Sequence, residues 1–211
     1  MSQSGHDTEH WKNRPANDPH FDWRYGGDSW IEEYKTSVQH PHRQVIINQL
    51  REYPWDSLLE VGCSAGPNLK AIREDFPDKK LYGVDVNEPS IEAAKTFVDA
   101  EFSVASFHKL PFEDKSVDVI LADAVLMYAR PDEIQEVMRE LKRVARHQII
   151  IVDRIMPSLL GEDAGGVWGR DYPMLLFEQG FQVKTRQVKE KDWPDSQNWQ
   201  KYGAFVIGTK S

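Results

Sequence analysis

The residues of this chain best placed to do chemistry are two carboxylates, each standing where an apolar run breaks. Glu60 sits in Leu58-Leu59-Glu60-Val61, and Asp85 closes Lys80-Leu81-Tyr82-Gly83-Val84-Asp85. A carboxylate at the end of a strand can accept from a ligand's hydroxyls or face a cation, and Asp85 lies near the spacing expected of an acid that binds two ribose hydroxyls. After Glu60 come Gly62-Cys63-Ser64-Ala65-Gly66-Pro67-Asn68, small residues that let the backbone approach a ligand without a Cβ in the way. Cys63, the one cysteine, fits this turn by size and is not expected to act as a nucleophile. His108, Asp123, Tyr128 and Asp153 are further titratable groups near predicted strand ends. Any of them could serve as a base, and the sequence does not rank them. The pair in Gln39-His40-Pro41-His42 lacks a third ligand at a usual spacing, so no metal site is expected.

The elements that must position these groups follow from the hydrophobic pattern. The run at 58–61 reads as a buried strand. Pro67 suits a first helical turn, where its missing N–H costs nothing, and Leu69, Ala71, Ile72 and Phe76 continue a helix. A second strand ends at Asp85, and Asn87-Glu88-Pro89-Ser90 opens another helix through Val98. Further strands are predicted at 102–106, 116–122, 147–153, 181–188 and 204–209. Helices are predicted from Asp28 or Ser29 to Val38, from His42 to Glu52, from Pro131 to Arg146 and from Pro173 to Gly180. His40-Pro41 separates the first two, because proline disfavours helix at the residue before it.

Glu60-x-Gly62-x-Ser64-x-Gly66, with Asp85 after the second strand and Leu110-Pro111-Phe112 before the fourth, resembles the class I S-adenosylmethionine-dependent methyltransferases of the small-molecule type. The resemblance covers roughly residues 55–155. A dinucleotide fingerprint fits poorly: counted from Gly62, its third and sixth positions are Ser64 and Pro67 rather than glycines. The resemblance implies an α/β fold, a doubly wound, seven-stranded, mostly parallel sheet with an antiparallel last strand and helices on both faces. It also implies S-adenosylmethionine as cofactor, S-adenosylhomocysteine as product, and methyl transfer to oxygen or nitrogen of a small-molecule acceptor. A protein or RNA acceptor, or a cofactor-binding but inactive regulatory subunit, remains an alternative.

By the same resemblance, Glu60 supports the methionine end of the cofactor. Gly62, Cys63, Ser64, Gly66 and Asn68 form the close turn, Asp85 and Val86 take the ribose, and Ser106 and Phe107 face the adenine. Many members of the family carry an acid at the position of Ser106. Asp123 touches cofactor or orients a nucleophile. Arg43 meets the methionine carboxylate or lies on a solvated helix face. The family's Asn/Asp-Pro-Pro-Tyr/Phe after the fourth strand is absent from Asp123-Ala124-Val125-Leu126, which disfavours the chemistry of exocyclic or amide nitrogens.

Residues 1–28 form an N-terminal arm, and 29–211 a single domain with an acceptor loop at about 154–172. Trp11, Phe21, Trp23, Tyr25 and Trp30 make the arm too aromatic for a solvated tail; it is either a lid, hinged at Gly26-Gly27, or a permanent cap. Trp30, Tyr34, Arg43, Trp168, Arg170 and Tyr172 are the expected acceptor and lid residues. Trp193 and Trp199 either cover the acceptor mouth or pack on the last hairpin. The net charge of −8 speaks against a broad nucleic-acid surface. No apolar run reaches membrane-spanning length and the N-terminus is polar, so a cytoplasmic protein without anchor or leader is expected. The oligomeric state is not legible.

Overall fold

The fold comes from a computed structural model that describes residues 8–15, 18, 29–155, 162–163 and 167–210. In chain order the elements are α1 (Thr8–Asn13), α2 (Trp30–Thr36), a 3-10 turn (Ser37–Gln39), α3 (Pro41–Leu50), β1 (Ser57–Val61), α4 (Pro67–Asp75) and β2 (Lys80–Asp85). Then come α5 (Glu88–Phe97), β3 (Glu101–Val104), β4 (Val117–Asp123), a 3-10 turn (Leu126–Tyr128), α6 (Ile134–Val144) and β5 (Ala145–Arg154). The chain closes with β6 (Glu162–Asp163), β7 (Val167–Trp168), α7 (Tyr172–Glu178), β8 (Gln182–Gln187), α8 (Gln197–Tyr202) and β9 (Gly203–Thr209).

The main sheet has seven strands in the order β3-β2-β1-β4-β5-β9-β8. Pairing is parallel from β3 through β5, and β9 runs antiparallel to both β5 and β8. The expected doubly wound sheet with a reversed last strand is therefore the observed fold. Central strands are buried on both faces, and alternate residues serve opposite layers. Leu59, Ile120 and Ile149 pack toward α6 and α7 with Val137, Leu141 and Leu176. Leu58, Val119 and Ile150 pack toward α3, α4 and α5 with Ile46, Ile72 and Ile91.

Local chemistry sets the boundaries. Ser29 caps α2, its Oγ accepting from Glu32 N at 3.2 Å, and the break at His40 falls where Pro41 begins α3. Asn87 caps α5, its Oδ1 accepting from Ser90 N at 2.9 Å. Helix α8, between the last two strands, was not expected from the sequence; Ser196 caps it and Trp199 is its one buried side chain. The proposed Gly26-Gly27 hinge, Phe21, Trp23, Tyr25 and most of the middle of the 154–172 loop lie outside the described residues.

Candidate active site

The strand order reverses direction between β1 and β4, and ligands of open α/β sheets bind at the carboxyl ends of strands at such a point. Here a cavity of about 750 Å³ opens over the ends of β1, β2 and β4. Its floor is the turn after β1. Gly62, Ser64 and Gly66 all have positive φ, at 72°, 48° and 82°, so the chain doubles back tightly before α4. The glycine at 62 answers to the protein's own packing: a Cβ there would lie 2.3 Å from Val125 Cγ2. Gly62 also lines the cavity, so this constraint from within the protein stands beside the expected clearance for a ligand. At Gly66 a Cβ would meet Val98 at 3.1 Å, again a protein neighbour.

Asp85 stands beside this turn. Its Oδ2 accepts from Ser64 N and its Oδ1 from Asn87 N, each at 2.9 Å. Burial raises its pKa, and those backbone donors oppose the rise. Each oxygen keeps acceptor capacity beyond the one bond it makes. Val86, Ala105 and Phe107 line the cavity next to it. Ser106 does not; its Oγ sits 2.9 Å from His108 Nδ1, and His108 lies off the cavity wall as well.

A buried polar chain crosses the cavity's inner wall. Asn68 Nδ2 donates to Glu60 Oε1 at 2.6 Å and to Asp123 Oδ2 at 2.8 Å. His42 Nε2 lies 2.8 Å from the same Asp123 oxygen. Glu60 Oε2, Asn68 Oδ1, Ser64 Oγ and Asp123 Oδ1 are buried without a hydrogen-bond partner among the described residues. Burial raises the Glu60 carboxyl to about 8 despite the Asn68 bond. Asp123 is also buried, yet His42, Arg43 and Asn68 outweigh that cost and hold it below the ordinary carboxylate range. A wall with this many unfilled acceptors suits a cationic group.

Arg43 is buried rather than on a solvated face. It donates from Nη1 to Ser37 O at 2.6 Å and from Nη2 to Ser37 Oγ at 3.1 Å. Its Nε has no partner among the described residues, and the residue lines the cavity. Trp30 and Tyr34 line it too, as do Trp11, Tyr128, Trp193 and Trp199.

Other expected site residues sit elsewhere. Tyr172 is fully buried in the core beside Leu176 and Phe181. Arg170 spends its guanidinium on the carbonyls of Leu126, Trp168 and Ala129, which pins the turn after β4. Trp168 pairs with Glu162 in the small β6–β7 ribbon. None of the three lines the cavity. Asp153 is buried under the turn, with Oδ2 accepting from Met127 N at 3.0 Å and Oδ1 from Arg154 N at 2.7 Å. Burial raises it to about 7, against those two backbone donors, and it too lies off the cavity wall.

Among the cavity residues that went unassigned in the sequence are His40 and His42. Their link to Asp123 spans 81 positions, and no local pattern reports such a pairing. The only signal was the pair itself, set at a helix start. Among the described residues no group of three metal-binding side chains occurs, and no described helix is long and apolar enough to cross a membrane.

Comparison with known proteins agrees with this geometry. A family model described as "Methyltransferase domain" matches residues 59–152. Cycloartenol-C-24-methyltransferase of Arabidopsis thaliana is 32% identical over 152 residues, covering 66% of this chain and 43% of that protein. Demethylmenaquinone methyltransferase of Thermotoga maritima is 24% identical over 119 residues, covering 55% of this chain and 51% of its own length. The chain thus spans about half the length of these curated relatives. Magnesium protoporphyrin IX methyltransferase from Synechocystis PCC 6803, solved with bound S-adenosylhomocysteine, superposes with a TM-score of 0.65 at 14% identity, over 90% of this chain and 91% of that one. The match over residues 59–152, which hold the motif turn after β1 and the strands through β5, together with the strand order, makes that stretch a domain of the class I S-adenosylmethionine-dependent methyltransferase type.

Proposed function

We propose that this chain transfers a methyl group from S-adenosylmethionine to oxygen or nitrogen of a small-molecule acceptor. The observation that carries the reading is the buried set of unfilled acceptor atoms on Glu60, Ser64, Asn68 and Asp123, beside the Asp85 carboxylate. Those groups fit a cationic ligand that also carries a ribose. Asp85 would hold the ribose hydroxyls, and Val86, Ala105 and Phe107 would flank the adenine. Glu60, Asn68 and Asp123 would face the ammonium and sulfonium side, and the Arg43 guanidinium would meet the carboxylate.

When bound, the sulfonium supplies an already activated methyl group. The chain's own task is then to align the acceptor for in-line attack and exclude water. The cavity leaves room for it: its 750 Å³ lies high in the range of small-molecule pockets. The part lined by Trp11, Tyr128, Trp193 and Trp199 is aromatic, which suits a small apolar or planar acceptor. The demethylmenaquinone and cycloartenol methyltransferases similar to this chain are also named for small molecules. A calorimetric titration with S-adenosylmethionine, and with NAD as control, tests the cofactor. A metabolite-pool screen that follows release of S-adenosylhomocysteine tests the acceptor. Binding of NAD in preference to S-adenosylmethionine would overturn the reading.

A further inference from the structure

We propose that Glu60 and Asp123, bridged by Asn68, together hold one proton in the empty cavity and release it to solvent when the primary ammonium of a ligand seats on them. The inference rests on the methyl-transfer reading and adds to it how the site takes up the cofactor's charge.

One amide holds the two acids side by side. Asn68 Nδ2 gives one hydrogen to Glu60 Oε1 at 2.6 Å and the other to Asp123 Oδ2 at 2.8 Å. All three side chains are buried and line the cavity. Each leaves one buried oxygen without a partner among the described residues: Glu60 Oε2, Asn68 Oδ1 and Asp123 Oδ1. A buried acceptor that stays unfilled carries a desolvation cost. Three such atoms match the three N–H donors of a primary ammonium, whereas a sulfonium has no hydrogen to donate.

The surrounding groups decide which acid keeps the proton. From α3, His42 Nε2 lies 2.8 Å from Asp123 Oδ2, and Arg43 stands near both acids. Against the cost of its burial, His42, Arg43 and Asn68 hold Asp123 ionised. Burial raises Glu60 to about 8; Asp123 and Asp85 add to the rise, and Asn68 and Arg43 oppose it. Two buried acids on one amide do not both ionise at neutral pH, so Glu60 keeps the proton. It sits on Oε2, because Oε1 accepts from Asn68. From β2, Asp85 accepts from Ser64 N and Asn87 N and belongs to the ribose end of the cavity. In the turn after β1, burial raises Cys63 and keeps it a thiol.

Charge balance gives the same answer. Burial keeps His42 neutral, so this wall, when empty, carries Asp123 negative, Arg43 positive and Glu60 uncharged. S-adenosylmethionine brings one net positive charge, its ammonium and sulfonium against a single carboxylate. Loss of the Glu60 proton cancels that charge, and the buried wall is neutral both empty and filled, as the cost of burying an unpaired charge demands. On binding, the O–H bond at Glu60 Oε2 breaks and its electron pair stays on oxygen. The proton passes to solvent, and the new carboxylate accepts from the ammonium. Below about pH 8 the free chain must give up this proton to bind, so affinity rises with pH up to that value.

The test counts protons and needs no acceptor. Titration calorimetry with S-adenosylmethionine at about pH 7, run in phosphate and in Tris, whose ionisation heats differ, should show release of about one proton per site. Affinity should rise by about tenfold per pH unit from about pH 5.5 to 7.5, a range in which the ligand's own ammonium stays mostly protonated. Glu60→Gln, neutral throughout, should release no proton and bind with a flat pH profile, so its deficit against wild type grows with pH. Infrared difference spectra of the wild type at about pH 6.5 should lose a carboxylic-acid carbonyl band when S-adenosylmethionine is added, and this readout needs no variant. Binding without proton release, an unchanged acid band, or a Glu60→Gln variant with the wild-type pH slope overturns the proposal alone. A wild-type chain that binds no S-adenosylmethionine across this range overturns the functional reading beneath it.

Discussion

Gly62 and Val125 occupy one another's space: a Cβ on Gly62 would stand 2.3 Å from Val125 Cγ2 and 2.8 Å from its Cβ. The motif turn after β1 is thus keyed to the turn after β4, and the close approach that demands glycine is within the protein. Gly62 also holds φ at 72°, a conformation that costs a residue with a Cβ roughly 1–2 kcal/mol. Gly62→Ala should therefore lower stability as well as cofactor affinity. The loss should be smaller in a Val125→Ala background, with a coupling of about 0.5–3 kcal/mol in a double-mutant cycle. Strictly additive unfolding free energies would show that the two residues do not constrain each other.

Asp85 has two tasks, since the same carboxylate that faces the cavity also accepts from Ser64 N and Asn87 N. Charged hydrogen bonds contribute about 1.5–3 kcal/mol each. Asp85→Ala should weaken S-adenosylmethionine binding roughly ten- to hundredfold and also lower Tm, because the turn loses both bonds. Calorimetry and thermal melts on the same sample check both parts. Unchanged affinity would remove Asp85 from the ribose site.

Glu60 links the site to pH. Its folded pKa of about 8 lies above the ordinary 4.5 because it is buried, despite the Asn68 hydrogen bond. Between those values the folded chain keeps a proton that the unfolded chain has released. Stability of the free protein should fall as pH rises from about 4.5 to 8 through this group, and level off above. Glu60→Gln, which stays neutral, should flatten that part of the pH dependence. At pH 8.5 it should raise Tm, by about 2–4 °C for each kcal/mol gained. Melts from pH 5 to 9 decide it; parallel curves for the two proteins would show that Glu60 carries no such cost.

The N-terminal arm docks through Asn87, whose Nδ2 donates to Trp11 O and Arg14 O, each at 2.9 Å. Trp30 Nε1 donates to Pro15 O at 2.8 Å, and the Trp11 ring meets Tyr128 edge-on at 5.0 Å. We propose that this docking closes the cavity over bound cofactor. Asn87→Asp keeps the cap of α5 but loses both Nδ2 donors, so it should raise turnover-limiting leakage more than it weakens cofactor binding. Hydrogen exchange in residues 11–34 should slow on adding S-adenosylmethionine in wild type, and less in the variant. Identical protection with and without cofactor would mean a permanent cap.

The sequence by itself determined the frame and the cofactor turn. Buried parallel strands are continuous apolar runs, and their ends are marked by Glu60, Asp85 and Asp123 at fixed short distances from small residues or caps. Those signals are local, so the sheet, the break at His40-Pro41 and the motif turn are all legible in the sequence. Helix α8 was not, because its six residues carry a single buried side chain and no periodicity. What belonged to tertiary structure was the meeting of side chains far apart in sequence. Val125 closing on Gly62, Asn68 joining Glu60 to Asp123, and Asp123 reaching His42 are products of how β1, β4 and α3 converge at one end of the sheet. The same packing decided that Tyr172 and Arg170 serve the core and the backbone rather than the cavity. Residue type and spacing report what a local segment can form. Which polar groups share one buried wall is fixed only when burial brings them together and each must find a partner.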